Sequence, residues 1–384
     1  MNADPELKDR LSDAVGDLPL DLERRLDAAR TGSADPRSSR VPVYAVAAGV
    51  ALVAVFAAFR LLPRGDERVP SQPGAPSGTI LYSLGAEAGP ADAPTFDYDV
   101  YALDLGTGES LPLVDVDGRA LDAVPSPDGS RIAFIREGDV MLMNADGSDL
   151  HAVGSDASVF SLAWSPDGTR LAFIGPGDRG GSSVIRTISP DGIDERTYEY
   201  ATASWDSLAW SPDGSRLVVS GYAEGMGEPG QTHLYVLQLE GNQPLVQLTD
   251  DLAGDGLPTW SPDGSTIVFM RQDYRGRGDY VSDIASIPAV GGPISLLTDS
   301  QGVDAFPRFS PDGRWIAFLS DREAAESQRR ANARGPGSLI GGSLFVMAAD
   351  GSDVRLVLRT DDAAIPTGWA TTNVVPLATP VPDV

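Results

Sequence analysis

Cysteine is absent from the 384 residues, so disulfides, thiol chemistry and Cys-ligated zinc are excluded. Histidine is nearly absent: His151 and His233 are the two copies, too few for most His-built metal or acid–base sites. Lys8 is the one lysine, every other base being Arg, and 29 bases against 55 acids leave a net charge of −26. That balance argues against a nucleic-acid partner, because phosphate binding needs a basic face. The nucleophile elbow Gly-x-Ser-x-Gly is also missing. What is plentiful is turn chemistry. With 42 Gly, 30 Pro and 42% hydrophobic residues, the composition fits a packed core made of many short strands rather than long helices.

Residues 1–40 are polar and charged. Asp4-Pro5-Glu6 reads as a helix start, with Asp at the N-cap and Pro in the first turn. Leu7, Leu11, Val15, Leu18, Leu22 and Leu26 form a helical stripe that Pro19 divides. Val41 to Phe59 carries no charge and is bracketed by Arg40 and Arg60. Residues 41–62 are therefore expected to cross a bilayer as a helix of roughly 20 residues. A buried core helix would sit oddly beside a β domain, and a cleaved signal would not follow ~40 polar residues. Arg25, Arg30, Arg37 and Arg40 precede the span, while Arg60, Arg64 and Arg68 follow it, which leans toward a cytoplasmic N-terminus. Residues 63–78, with Pro63, Pro70, Pro73 and Pro76, read as an extended linker. The part up to residue 78 holds 10 bases and 11 acids, and the remainder holds 19 and 44. The acidic remainder is repelled by anionic lipid.

A repeat decides the architecture of that remainder. Ser-Pro-Asp-Gly occurs five times, at Ser126–Gly129, Ser165–Gly168, Ser211–Gly214, Ser261–Gly264 and Ser310–Gly313, with start-to-start spacings of 39, 46, 50 and 49. Pro fixes φ, the aspartates Asp128, Asp167, Asp213, Asp263 and Asp312 can bond the following amides, and Gly129, Gly168, Gly214, Gly264 and Gly313 accept positive φ. Each copy is thus a structural turn between two buried strands, a and b. A second hairpin, c–d, follows in each unit: Val100–Leu113, Val140–Val153, Val184–Tyr198, Leu234–Leu248, Ile284–Leu297 and Leu344–Leu358. Six c–d hairpins but five a–b turns leave one unit incomplete. Thr79-Ile80-Leu81-Tyr82-Ser83 is a lone b-type strand, and Ile365-Pro366-Thr367-Gly368-Trp369-Ala370 is similar to the a-type Leu257-Pro258-Thr259-Trp260-Ser261. The two ends are expected to complete one blade together and seal the ring. The expectation is an all-β, six-bladed β-propeller over residues 79–372, followed by a tail, 373–384.

Leu248-Thr249-Asp250 through Phe269, and Leu297-Thr298-Asp299 through Asp321-Arg322, resemble the TolB and WD-like propeller repeats. These are shared by the TolB family and by the propeller domains of prolyl-oligopeptidase-type peptidases. The TolB likeness implies an envelope protein with protein partners. The chain is expected to depart from that family in its anchor, with no room before the propeller for the α/β domain that precedes it in TolB. The peptidase likeness lacks its hydrolase domain.

Acidic clusters such as Asp115-Val116-Asp117-Gly118 and Asn144-Ala145-Asp146-Gly147-Ser148-Asp149 have alternating oxygen ligands but lack the distal Glu of a calcium loop. They read as turn chemistry, and no metal or other cofactor is expected. His151 is placed on an outer d strand and His233 at the start of a c strand, neither as a catalytic group. Loop length carries more information. The a–b and c–d turns are short and share one rim of the ring. The b–c loops Gly175–Ser182, Gly221–Thr232, Arg271–Val281 and Asp321–Gly342 are long and share the other. They hold Arg179, Arg271, Arg275, Arg277, Arg322, Arg329, Arg330 and Arg334. On a rigid scaffold these form a candidate binding face, suited to carboxylate or phosphate groups. Local acids, Asp273, Asp279, Asp321, Glu323 and Glu326, could equally neutralise them.

The first functional reading is a non-catalytic, membrane-anchored propeller outside the cytoplasm. It would bind protein, peptide or cell-envelope glycan through the loop face. A second is a single-pass regulator in which residues 1–40, similar to the cytoplasmic ends of anti-sigma-type regulators, signal inside. A third is an enzyme, a hydrolase or a lyase, using carboxylates of the propeller face.

Overall fold

The computed structural model describes residues 75–370, apart from 89–94, 115–119, 155–158, 178–181, 201–202, 224–230, 242–244, 273–280, 324–340 and 361–362. The N-terminal helical segment, the span, most of the linker and the tail expected from the sequence lie outside the described residues. Among the described residues no helix is long and apolar enough to cross a membrane.

Twenty-four strands form six antiparallel four-stranded sheets. Blade 1 holds β1 (Thr79–Ala88), β2 (Thr95–Asp104) and β3 (Ser110–Val114). Blade 2 holds β4 (Ala120–Pro125), β5 (Arg131–Arg136), β6 (Asp139–Asn144) and β7 (His151–Gly154). Blade 3 runs through β8 (Ser161–Trp164), β9 (Leu171–Pro176), β10 (Ser183–Ile188) and β11 (Arg196–Tyr198). Blade 4 comprises β12 (Ala203–Trp210), β13 (Arg216–Ala223), β14 (His233–Gln238) and β15 (Leu245–Gln247). Blade 5 comprises β16 (Gly254–Trp260), β17 (Thr266–Gln272), β18 (Ser282–Pro288) and β19 (Ser295–Leu296). Blade 6 comprises β20 (Asp304–Phe309), β21 (Trp315–Ser320), β22 (Ser343–Ala348) and β23 (Arg355–Leu358). The last strand, β24 (Ala363–Ala370), returns to blade 1 and pairs with β1, with Ile80 opposite Trp369 and Thr79 opposite Ala370. The closure expected from the two ends is the one found. Trp369 Nε1 also donates to the Ser77 carbonyl at 3.0 Å.

The b and c strands are apolar along their length because each blade is covered on both faces. β21 is buried at every residue. Each pair of adjacent blades shares at least one apolar cluster, such as Leu81, Phe134 and Met143 between blades 1 and 2, or Ile284, Phe318 and Phe345 between blades 5 and 6. The last cluster, with Ile80, Trp315 and Trp369, joins blade 6 back to blade 1. Burying one such large side chain is worth ~1.5–3 kcal/mol, so the ring is held mainly by what lies between its sheets.

The five a–b turns are built alike. In the first, Ser126 Oγ donates to Asp128 Oδ1 at 2.6 Å, and the Ser130 amide donates to the same oxygen at 3.0 Å. The Arg131 amide donates to Ser126 Oγ at 3.0 Å. The glycine that ends each turn has φ between 70° and 72°. The turns also touch one another: a Cβ on Gly264 would lie 3.2 Å from Pro212 Cγ, and one on Gly313 would lie 3.3 Å from Pro262 Cδ. The prolines of the first four turns, Pro127, Pro166, Pro212 and Pro262, thus pack on the glycine of the next blade's turn.

Candidate functional site

Because the strands of a blade alternate in direction, the a–b and c–d turns lie on one rim and the b–c and d–a connections on the other. The first is the turn rim and the second the loop rim. Aspartates on the turn rim are consumed by local bonds. The serine hydroxyl before each of Asp128, Asp213 and Asp263 is the largest cause holding those carboxyls down at about 2. In the c–d turn at Asp146, the same job is done by Ser148, whose amide and hydroxyl donate to Asp146 Oδ1 at 3.0 and 2.6 Å. Among the described residues no group of three or more His, Cys, Asp or Glu could hold a metal ion.

The loop rim is organised differently, most clearly in blades 5 and 6. Asp255 on β16 is fully buried and faces Arg271 across the strand pair. Arg271 Nη1 donates to both oxygens of Asp255, at 3.0 and 3.2 Å, while Nη2 bonds Asp251. Burial raises the Asp255 carboxyl to about 7 in spite of the arginine's pull. In blade 6, Asp304 accepts from Ser320 Oγ at 2.5 Å and from Arg322 Nη2 at 2.8 Å. The Arg322 guanidinium lies over the rings of Phe318 and Phe345, at 5.3 and 5.1 Å, a cation–π arrangement that fixes the side chain further. Asp283 on β18 accepts from Thr298 Oγ1 at 3.2 Å and from the Ser300 amide at 2.9 Å. It is pushed up to about 6 by burial, with Asp304 and Asp299 adding repulsion.

Both arginines of the candidate face that the structure describes therefore have intramolecular carboxylate partners. Arg271 belongs to the end of β17 rather than to the loop expected to begin there, because its register opposite Asp255 extends the strand. Arg322 directly follows β21. Of the acids expected to neutralise the arginines locally, Glu323 pairs instead with Arg359. Asp321 Oδ1 accepts from the Val303 amide at 2.8 Å. That carboxylate fills the place a side chain on residue 302 would need, since a Cβ on Gly302 would sit 2.0 Å from Asp321 Oδ1. Arg179, Arg275, Arg277, Arg329, Arg330 and Arg334 lie outside the described residues. The two histidines stand where the sequence puts them, His151 opening β7 and His233 opening β14.

Two further groups were not singled out from the sequence. The inner strands carry bulges at their middles, between Leu121 and Val124, Trp205 and Ser207, Gly256 and Thr259, and Ala305 and Arg308. Bulges re-aim side chains, and Asp122 and Asp206 sit in two of them. Asp206 is pushed up to about 6 by desolvation from the surrounding strands, although the residue is exposed to solvent. The second group is the pair Asp255 and Asp304. Each stands six residues before the serine of its Ser-Pro-Asp-Gly turn, so a shared offset was available as a signal. Carboxyls near neutrality are raw material for proton transfer. Asp255, however, is fully buried beneath Arg271 and presents no surface to a substrate.

Residues 129–279 match the family model of the TolB β-propeller domain. A search of curated proteins finds no match. Among solved structures, TolB from Acinetobacter baumannii superposes with a TM-score of 0.60 at 18% identity, covering 76% of this chain and 66% of that one, just under two thirds of its length. A TolB-type protein of Agrobacterium tumefaciens gives 0.57 at 18% identity, covering 77% of this chain and 94% of that one. A chain of the nidogen/laminin complex gives 0.53 at 10% identity, over 76% and 99%. Identities this low carry the fold alone, and fold is a weak guide to activity. With the matched repeat, the ring of six sheets and its closure by β24, this chain carries a six-bladed β-propeller that is TolB-like in fold.

Proposed function

We propose that the protein is a non-catalytic binding scaffold of the cell envelope. The propeller is held outside the cytoplasm by a membrane span at residues 41–62 and takes a protein, peptide or envelope glycan on its loop rim. One observation carries this reading. Every long connection between b and c strands leaves the ring on the same rim, while the opposite rim is closed by short turns whose polar groups are satisfied locally. A fixed ring that presents long loops on one side is the usual arrangement of a recognition surface. The envelope setting rests on the apolar run at 41–62 and on the TolB likeness. The absence of catalysis rests on how the described carboxylates are used, in turns and ion pairs.

Site-specific photo-crosslinking in intact cells tests the proposal. A crosslinker at Gln328, within the longest b–c connection, is expected to yield discrete adducts. One at Ser215, on the turn rim, is expected to yield none. Adducts from Ser215 alone would remove the loop rim as the binding surface, and protease shaving that leaves the propeller intact in spheroplasts would remove the extracytoplasmic placement.

A further inference from the structure

The inner strands are tied to one another by side chains, and the tie changes character at the seam. Asp122 Oδ2 accepts from the Leu162 amide of blade 3 at 2.9 Å. Ser161 Oγ accepts from the Leu208 amide of blade 4 at 3.3 Å, and Ser207 Oγ from the Leu257 amide of blade 5 at 3.0 Å. Each of these three residues stands four positions before the first residue of its blade's a–b turn. In blades 5 and 6 that position is Leu257 and Phe306, whose side chains have no polar atom to offer, and the series stops.

Arg308 takes over from the other direction. Its Nε donates to the Thr367 carbonyl of β24 at 3.3 Å, its Nη1 to the Pro307 carbonyl at 3.0 Å, and its Nη2 lies 3.9 Å from Asp122 Oδ1. Around the axis β20 adjoins β24, and β24 adjoins β4. The Asp122–Arg308 pair therefore joins blades 6 and 2 across the strand that closes the ring. Their side chains are 20% and 22% exposed. The contact sits on the inner-strand bulges, where positive φ recurs, at Leu257 (54°) as well as at Asp122 and Phe306. Asp122 and Phe306 have φ of 52° and 56°, and β24 is bulged between the partners of Leu81 and Tyr82, with Thr367 as the extra residue. A positive φ at Phe306 is uncommon for a bulky residue and persists only where the surroundings fix it.

We propose that Asp122 and Arg308 form a latch over the seam of the ring, so that breaking the pair releases the inner strand of blade 1 while blades 3 to 5 stay closed. Removing one member strands a poorly solvated charge. Removing both removes that penalty, because Asn at 122 still accepts from the Leu162 amide.

Hydrogen exchange of the full-length protein in nanodiscs tests the latch in D122N, R308M and D122N/R308M. Each single variant is expected to speed exchange of residues 363–370, and of β1 opposite them, by at least about tenfold. Exchange over 216–223 and 233–238 is expected to be unchanged, and the double variant to recover most of the lost protection. Uniform acceleration around the ring, unchanged exchange at 363–370, or a double variant as open as the worse single would each overturn the latch. Should R308M not accumulate, R308Q removes the charge while keeping a polar side chain at the site. Faster exchange confined to 363–370 supports the latch in that variant too, and wild-type exchange there removes it.

Discussion

The two rims of the ring place the same residue type, aspartate, in opposite situations. On the turn rim Asp128, Asp213 and Asp263 sit in water, each fixed by a serine two residues before it and an amide two residues after it. On the loop rim Asp255 and Asp304 are fully buried, and each depends on an arginine from the neighbouring strand or just beyond it. The first arrangement is local, repeated and nearly independent of tertiary context. The second exists only when the blade is assembled, and it differs from blade to blade. A rim of the second kind is specified blade by blade, through pairs that assemble only with the sheet.

Breaking one tie on the loop rim gives the largest expected effect. Arg322→Ala leaves the buried Asp304 carboxylate with Ser320 alone, and removing one partner of a buried pair costs ~3–5 kcal/mol. The full chain is therefore expected to melt well below wild type. An unchanged melting temperature with lost ligand capture would instead return Arg322 to the binding face.

The pH dependence sharpens the comparison because the two rims have opposite signs. Asp255 and Asp283 hold their protons more tightly folded than unfolded, at about 7 and about 6. Their contribution is fully present below the ordinary carboxylate range of about 4 and is lost as pH rises toward those values. Each contributes a slope of up to about 1.4 kcal/mol per pH unit within its window. The turn aspartates, held near 2, contribute stability that is present above about 4 and lost as pH falls toward 2. Thermal melts across pH are expected to show D255N and D283N flattening the decline between about pH 4 and 7, and D213N flattening the loss on the acid side.

Smaller effects are expected from the turns themselves. Gly264→Ala imposes a positive φ of 72° on a residue with a Cβ and crowds Pro212, at a cost of ~1–2 kcal/mol. Ser261→Ala removes the hydroxyl that donates to Asp263 and accepts from the Thr266 amide, costing ~1 kcal/mol. Equal losses from the matching changes at Gly214 and Ser211 would confirm that the turns are interchangeable.

What could be read from the sequence follows the same division. The turn rim was legible because Ser-Pro-Asp-Gly carries its own mechanism within four residues, and its spacing counts the blades. The seam was legible because Ile365–Ala370 repeats the pattern of an inner strand. The roles of Arg271 and Arg322 were not, since their partners Asp255 and Asp304 come from a neighbouring strand and become adjacent only through sheet register. Asp122 and Arg308 were further out of reach. They are separated by most of the ring in sequence and meet only because β24 returns to lie between their strands.

Replacing residues 324–340 of the full-length chain with a short Gly-Ser connection tests the central claim most directly, with partner capture and melting temperature read on the same sample. The prediction is that capture is lost while the melting temperature stays within the wild-type range, since β21 ends before residue 324 and its partner β22 begins after residue 340. Capture that survives the replacement unchanged would contradict the assignment of recognition to the loop rim.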